Sequence, residues 1–258
     1  TFPMPGERFS VRLSSQQLHL SRPDDEATPL VDIDCCELFQ CLGVGGVLAA
    51  FKSMLVEGHS VFVSADFRRL SACIQAAGSL LYPFTWQHIF VPILPRTWID
   101  YITAPMPFVC GVHDSMFDEV LQQPIEDSMI FLQLDTGDIM QSGEAQGTLP
   151  TAASAKLEKA WSKLLADLSK QKITAKEFNF GIREAAIEFM VSNVGNYRMF
   201  VEEDEEGEYQ LDVEEMVGSI ADESTAEFVR GLQGTQMFEI WCRQRVSLAK
   251  EGYPRKGL

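Results

Sequence analysis

The sequence is poor in positive charge. It has 21 Lys and Arg residues against 37 Asp and Glu residues, which gives a net charge of −16 with its four His residues neutral. Nucleic-acid binding depends on Lys and Arg side chains that displace counterions from phosphates, and anionic membrane surfaces attract basic segments in the same way. The composition therefore disfavours nucleic acid and anionic membranes as partners.

Long apolar runs and targeting signals are also missing. No stretch reaches the ~18 consecutive apolar residues typical of a transmembrane helix, so no transmembrane segment is expected. The N-terminus has no signal-peptide pattern. Because the sequence begins at Thr1 rather than at Met, we expect a fragment with sequence missing upstream.

No pair of cysteines has the CxxC spacing typical of redox motifs. Cys73 and Cys110 lie in apolar stretches, which favours reduced, buried thiols in a cytoplasmic protein. The six cysteines occupy positions 35, 36, 41, 73, 110 and 242.

Standard catalytic and nucleotide-binding motifs are absent. The sequence contains no GxxxxGK[ST], HExxH or GxSxG, so it predicts no Walker-type phosphate site and no zincin or hydrolase site. The glycine-rich run at 43–46 resembles GxGxxG, but Leu48 occupies the third glycine position, and a helix start is the better interpretation. A triad made of the neighbours His113, Asp114 and Ser115 is implausible because triad members converge from separate segments. We predict no metal and no cofactor.

What the sequence does contain is enough apolar material for a large core, since 46% of its 258 residues are hydrophobic. Stretches rich in proline and glycine divide the sequence into four regions. These are an entry segment over 1–34 with one edge strand at Phe9–Leu13, an α/β region over 35–140, a linker over 141–155 and a helical region over 156–258.

The α/β region alternates short apolar strands with helices. Such alternation predicts a parallel or mixed sheet covered by helices on both faces. The predicted strands are 61–64, 89–91, 108–112 and 129–134, and the predicted helices are 45–57 with a stop at Gly58, 67–81 and 98–102.

The apolar period changes to 3.6 residues after the linker, which predicts amphipathic helices and an all-α lobe. Leu157 and Trp161 mark one helix, Ile182 and Phe189 mark a second, and shorter helices follow at 228–232 and 237–246. The acidic run at 202–208 is predicted to be a surface loop.

Three polar residues near the predicted strands have structural interpretations. Asp66 follows a strand and is predicted to cap the next helix. Ser115 is predicted to cap a helix in the same way. His88, between Trp86 and a strand, is predicted to be a hydrogen-bonded structural histidine rather than a base.

Residues 80–115 carry a family resemblance. They contain Leu-Leu-Tyr-Pro at 80–83, Trp-Gln-His at 86–88, Pro-Ile-Leu-Pro at 92–95 and a Pro-Met-Pro-Phe strand that ends in Gly-Val-His at 111–113. This pattern closely resembles the signature of the central module of DENN domains. The family often has an Arg pair after Glu57 where this sequence has Gly58 and His59, a departure that falls in a turn.

Two later segments, 183–201 and 234–245, resemble the downstream, helical DENN module. Together the matches cover about residues 35–246. The resemblance implies a guanine-nucleotide exchange factor for a Rab GTPase in vesicle trafficking, recruited peripherally to vesicle membranes. Full DENN domains also have an upstream longin-like lobe, which this sequence lacks and which we expect in cis or on another chain.

An exchange factor performs no covalent chemistry, so the resemblance accounts for the missing catalytic motifs. It implies tighter binding to the nucleotide-free GTPase than to the nucleotide-bound form, through contacts to the switch regions. We place these contacts at the carboxyl ends of the sheet strands and on the signature loop. The predicted contact residues are Asp66, Arg68, Phe84, Thr85, Trp86, Arg96, Asp114 and Ser115.

Three of these residues have competing interpretations. Trp86 is equally well interpreted as a core aromatic, and capping is the better interpretation of Asp66 and Ser115.

Two other functions stay open. One is a non-catalytic DENN-fold scaffold that binds a GTPase or another protein. The other is an α/β hydrolase or nucleotide enzyme, against which the absent motifs argue. Acceleration of GDP release separates the exchange factor from the scaffold, and turnover of an ester or nucleotide identifies the enzyme.

Overall fold

The computed structural model describes residues 8–13, 16–21, 33–125, 128–143, 147–203 and 209–250. It divides the chain into two compact units, Thr1–Ile33 and Asp34–Leu258. In the first unit, strand β1 (Arg8–Leu13) pairs antiparallel with β2 (Gln16–Ser21). The edge strand predicted at Phe9–Leu13 is confirmed, and its partner strand was not predicted.

The second unit contains a five-stranded sheet of order β4-β5-β3-β6-β7. The first four strands in that order run parallel, and β7 is antiparallel to β6. The predicted mixed sheet flanked by helices is thus confirmed. The strands are β3 (His59–Ser64), β4 (Ile89–Val91), β5 (Phe108–His113), β6 (Met129–Gln133) and β7 (Ile139–Ser142).

Two helices, α1 (Cys36–Leu55) and α2 (Phe67–Ser79), contact the sheet on one face. The other face packs against a 3-10 helix at Arg96–Thr103 and against α3 (Phe117–Leu121), through Ile102 and Val120. Helix α1 begins nine residues earlier than predicted. It continues through Gly43, whose φ of 62° interrupts the helical backbone in the segment interpreted as a helix start.

The helical part follows β7. The linker predicted over 141–155 is shorter in the structure, since β7 extends to Ser142 and α4 begins at Thr151. The predicted helical lobe is confirmed, with the addition of one small antiparallel strand pair, β8 and β9. The elements of the helical part are α4 (Thr151–Ser169), α5 (Ala175–Val194), a 3-10 helix at Gly195–Phe200, β8 (Val201–Glu203), β9 (Tyr209–Leu211), α6 (Val213–Gly218), α7 (Glu223–Gln233) and α8 (Gln236–Lys250). Most of the acidic run at 202–208 lies outside the described residues.

Helix α1 is the core element shared by both parts. It contacts the sheet through β3 and β6 and contacts α4 and α5 on its other side. Its Phe39 and Phe51 meet the buried Trp161 of α4 edge to face, at centroid distances of 5.2 and 5.8 Å. Edge-to-face pairs at such distances stabilise a core beyond the area that they bury.

By length and composition alone, α1 could cross a membrane, with a mean hydropathy of 1.5 over 18 residues. Half of that window is buried inside the fold. A helix packed between a sheet and other helices is apolar on most sides, so we assign α1 to the protein core.

Candidate functional site

The carboxyl ends of β3, β5 and β6 meet at one edge of the sheet, where Asp135 organises the backbone. Its carboxylate accepts hydrogen bonds from Ser64 Oγ and the Ala65 amide, each at 2.7 Å, and from Arg69 Nη1 at 2.5 Å. Arg69 also reaches Glu37 of α1, with Nε 3.4 Å from Oε1. Asp135 therefore joins the end of β3 to the segment after β6 and to α2.

These hydrogen bonds change the titration of Asp135. Burial alone would raise the pKa of this carboxyl, but the bonds from Ala65, Ser64 and Arg69 favour the charged form and hold the pKa below its ordinary value of 3.8. Asp135 is therefore an ionised, anchored carboxylate at neutral pH.

His113, the last residue of β5, is fixed on both ring nitrogens. Nε2 lies 3.0 Å from the Ala65 carbonyl oxygen, which can only accept, so Nε2 donates. Nδ1 accepts from the Ser115 amide at 3.2 Å and lies 2.9 Å from Ser115 Oγ. His113 thus caps the 3-10 turn Asp114–Met116. The prediction that Ser115 caps a helix is wrong, because the capping side chain is that of the residue two positions earlier.

Phe67 covers this edge of the sheet and remains 51% exposed. Its ring lies against the His113 ring, with centroids 4.6 Å apart. Phe67 is the first residue of α2, directly after Asp66, whose carboxylate accepts from the amides of Arg68 and Arg69. The predicted helix cap at Asp66 is confirmed, and these backbone bonds lower the pKa of Asp66.

Two arginines extend from the same edge into solvent. The Arg68 side chain is 79% exposed, and its nearest carboxylate oxygen, on Asp66, is 3.7 Å away. Arg96 is 58% exposed, pairs with Glu119 at 2.7 Å and donates to the Ser115 carbonyl at 3.3 Å. Asp114 and Ser115 are exposed beside them. We call Asp66, Phe67, Arg68, Arg96, Asp114 and Ser115 the carboxyl-edge surface.

The other three predicted contact residues lie at the opposite edge of the sheet. Phe84, Thr85 and Trp86 precede β4, which runs parallel to β5, so they lie at the amino ends of the strands. A six-residue strand spans roughly 20 Å, and the predicted site is therefore divided into two separate groups.

Phe84 does not offer a contact surface. It is 4% exposed, and its ring packs against Phe238 and Trp241 of α8 at centroid distances of 6.1 and 5.6 Å. Its prediction as a partner contact is corrected on that ground. Thr85 is exposed, and Trp86 is half-buried with its indole nitrogen donating to the Ile89 carbonyl at 3.1 Å.

Glu57 and His88 connect this amino edge to the helical part. The Glu57 carboxylate accepts from the backbone amides of Gln236 and Met237, at 2.9 and 2.8 Å, and so caps α8. His88 Nε2 lies 2.9 Å from Glu57 Oε2, in a contact whose geometry is not that of a hydrogen bond. The predicted hydrogen bond of His88 is not observed among the described residues, and the nearest group to its Nε2 is the Glu57 carboxylate.

Sequence reasoning missed Phe67, Asp135 and Glu57. Phe67 lies three residues before Leu70, a buried residue of the same helix, so the helical period predicts that Phe67 is buried as well. Asp135 and Glu57 act over separations of 71 and 179 residues, for which a single sequence carries no signal.

Comparison with known proteins places this architecture. A family profile described as "DENN (AEX-3) domain" matches residues 1–137. The chain belongs to the DENN domain family. Human DENN domain-containing protein 2B is 31% identical over 254 residues, and human DENN domain-containing protein 2C is 30% identical over 270 residues. Human DENN domain-containing protein 2D is 25% identical over 248 residues.

These matches cover 95%, 100% and 94% of this DENN chain, respectively. They cover 22%, 28% and 51% of the relatives. The chain thus spans between about a fifth and about half of the length of these curated relatives.

Proposed function

We propose that this DENN chain belongs to a guanine-nucleotide exchange factor for a Rab-type GTPase. Family membership carries the proposal, through the match to the DENN profile and the relatives of about 30% identity. Exchange requires only that the nucleotide-free GTPase binds more tightly than the nucleotide-bound form. Nucleotide rebinding then expels the exchange factor by reciprocity.

The carboxyl-edge surface has the features that such a partner needs. Phe67 is an exposed aromatic side chain held in place by the His113 ring, and aromatic and Arg side chains are enriched among residues that dominate binding energy. Arg68 offers an exposed guanidinium that suits carboxylates on the switch regions, whereas Arg96 has to leave its pair with Glu119 to make the same contact. We propose Thr85 and Trp86 as a second, independent contact.

The domain organisation follows the family. We propose a central module at 35–140, a downstream module that begins with α4 at Thr151, an entry segment over 1–34 and an upstream longin-like lobe that completes the GTPase site in cis or in trans. The protein would act in the cytoplasm and be recruited peripherally to vesicle membranes.

The test is GDP release from purified Rab GTPases loaded with a fluorescent nucleotide. The chain is assayed alone and in a version extended upstream. We expect at least one Rab to be accelerated by the extended form. Absence of acceleration of every Rab by both forms would overturn the exchange proposal, and binding without release would favour the scaffold alternative.

Variants of the same protein test whether the carboxyl-edge surface binds the GTPase. Phe67→Ala removes a half-exposed ring and is expected to slow exchange about tenfold while the free energy of unfolding falls by only about 1 kcal/mol, the loss of its contact with His113. Met199→Ala is the matched control, because Met199 is 79% exposed and lies in the helical part. Equal activity of both variants would place the docking surface elsewhere.

A further inference from the structure

Helices α1 and α2 pack against each other, and two pairs of side chains connect them near their N-termini. The first pair is Glu37 with Arg69, whose Oε1 and Nε atoms lie 3.4 Å apart. One turn further along both helices, Cys41 meets Cys73, and the Cys73 thiol donates a hydrogen bond to the Cys41 sulfur. Residues four apart lie on the same face of a helix, so the ion pair and the thiol pair form one continuous contact between the helices.

The two thiols differ in their access to solvent. Both are free, but Cys41 is partly exposed whereas Cys73 is buried, as its apolar surroundings predict. A disulfide requires the two sulfur atoms to face each other across the contact with their Cβ atoms about 3.5–4.5 Å apart. A hydrogen bond between the two thiols already directs the sulfur atoms toward each other.

We propose that Cys41 and Cys73 form a reversible disulfide when the folded protein meets a peroxide. A partly exposed thiol next to a second thiol that can resolve its oxidised form is the arrangement of redox-sensing cysteines. The bond would fix the register of α1 and α2 beside Arg69, whose guanidinium holds Asp135 at the carboxyl edge. The proposal does not depend on exchange activity, since it concerns the chemistry of the two thiols alone.

The surroundings favour Cys41 as the thiol that reacts first. Burial raises the pKa of Cys41, whereas the nearby Arg69 guanidinium and the hydrogen bond from Cys73 partly oppose that effect. Burial raises the pKa of Cys73 as well, and no solvent reaches its side chain directly. Because the thiolate is the reactive form, the raised pKa values make the reaction slow, and the probe is therefore hydrogen peroxide in excess.

The reaction has two steps. The Cys41 thiolate attacks one oxygen of the peroxide, so an S–O bond forms, the O–O bond breaks and hydroxide leaves. The Cys73 thiolate then attacks the Cys41 sulfur, so the S–S bond forms, the S–O bond breaks and a second hydroxide leaves. The protons lost by the two thiols convert both hydroxides to water. Two thiols are oxidised and one peroxide is reduced to two waters.

The experiment treats the folded chain with hydrogen peroxide, removes the excess with catalase and counts thiols in denaturant. We expect the chain to lose two of its six thiols and to regain both with dithiothreitol. Peptide mapping by mass spectrometry without reductant should find Cys41 joined to Cys73, and circular dichroism should show an unchanged fold. An unchanged thiol count, a disulfide between other cysteines, or sulfinic acid at Cys41 beside reduced Cys73 would overturn the proposal.

Three variants test the roles of the two thiols. Cys73→Ala removes the resolving thiol and should leave a sulfenic acid on Cys41 that dimedone captures, whereas the unmodified protein should give much less adduct. Cys41→Ser should lose neither thiol as a pair. Cys36→Ser is the matched control, because Cys36 is also partly exposed and lies on the same helix, and it should still form the disulfide. Loss of two thiols from Cys41→Ser, or no dimedone adduct on Cys73→Ala, would contradict the assigned roles.

Discussion

At the scale of single residues, Asp135 stabilises the carboxyl edge by ending β3 in an ordered turn. Its three donors come from Ser64, Ala65 and Arg69, and its side chain is 29% exposed. Hydrogen bonds to a charged acceptor are stronger than neutral ones. The position of Phe67, two residues after Ala65, therefore depends on a carboxylate that lies 70 residues after Ala65 in the sequence.

Asp135→Asn should destabilise the protein in a pH-dependent way. The folded-state pKa of Asp135 is lowered, so its contribution is present above the unfolded-state pKa and is lost as pH falls through the folded value. We expect a loss of about 1–2 kcal/mol in unfolding free energy at pH 7 that shrinks below about pH 4. Urea unfolding at several pH values measures it, and a difference that grows on acidification would contradict this account.

The sequence predicts local contacts of single residues better than distant ones. The cap at Asp66 was predictable because its acceptor and donors lie within three residues. The capping role of His113 was not, because histidine is not a common cap and its other nitrogen bonds to Ala65, 48 residues earlier. The division of the predicted site has the same origin, since residues before and after β4 lie at opposite ends of the parallel sheet.

At the scale of elements, the N-terminus of α8 is capped by a side chain from the α/β part. Glu57 follows α1 with a left-handed φ of 51°, a conformation that costs free energy in a residue with a Cβ. The sequence predicts the helix stop at Gly58, whereas the left-handed residue is Glu57. The hydrogen bonds that two amides at the N-terminus of α8 donate to the Glu57 carboxylate offset that cost.

Glu57→Gln is expected to weaken the attachment of α8. The variant loses the charge that favours a helix N-terminus and leaves at least one amide of α8 poorly paired, at a cost of about 1–3 kcal/mol in unfolding free energy. Chemical denaturation measures the loss. Glu239→Gln is the control, because Glu239 lies on the exposed face of α8 and pairs with Arg243 four residues on; equal losses would exclude a special role for Glu57.

Close packing between β5 and the segment after β4 requires glycine at 111. A Cβ at Gly111 would overlap the Pro92 carbonyl oxygen and lie 2.8 Å from Ile74 Cδ1. We expect Gly111→Ala to cost more than about 2 kcal/mol, because backbone and core must both move. Gly231→Ala in α7 meets no atom within 4 Å and should be neutral or stabilise by up to about 1 kcal/mol. Thermal unfolding of the two variants compares them.

At the scale of the whole molecule, the alternation of apolar strands and helices predicted the sheet and its class. The period of 3.6 residues predicted α4 and α5. The sequence did not predict the first nine residues of α1, because this helix is buried on two sides and therefore has no clean apolar stripe. The pair β8–β9 was missed because its strands have three residues each.

Since α1 packs against both the sheet and α4, the unit Asp34–Leu258 should unfold in one transition. Loss of the helical part would uncover Phe39 and Phe51, so neither part retains a complete core without the other. Far-UV and near-UV circular dichroism should give coincident denaturation midpoints. Two separated midpoints would show that the two parts fold independently.

The attachment of α8 to Glu57 has a consequence for synthesis on the ribosome. Glu57 and Phe84 are translated well before Gln236, and the separation of 179 residues between Glu57 and that helix start corresponds to roughly 10–40 s at ordinary elongation rates. During that interval the carboxylate lacks its amides and the Phe84 ring lacks Phe238 and Trp241. A nascent chain stalled before residue 236 would present this uncovered ring to chaperones.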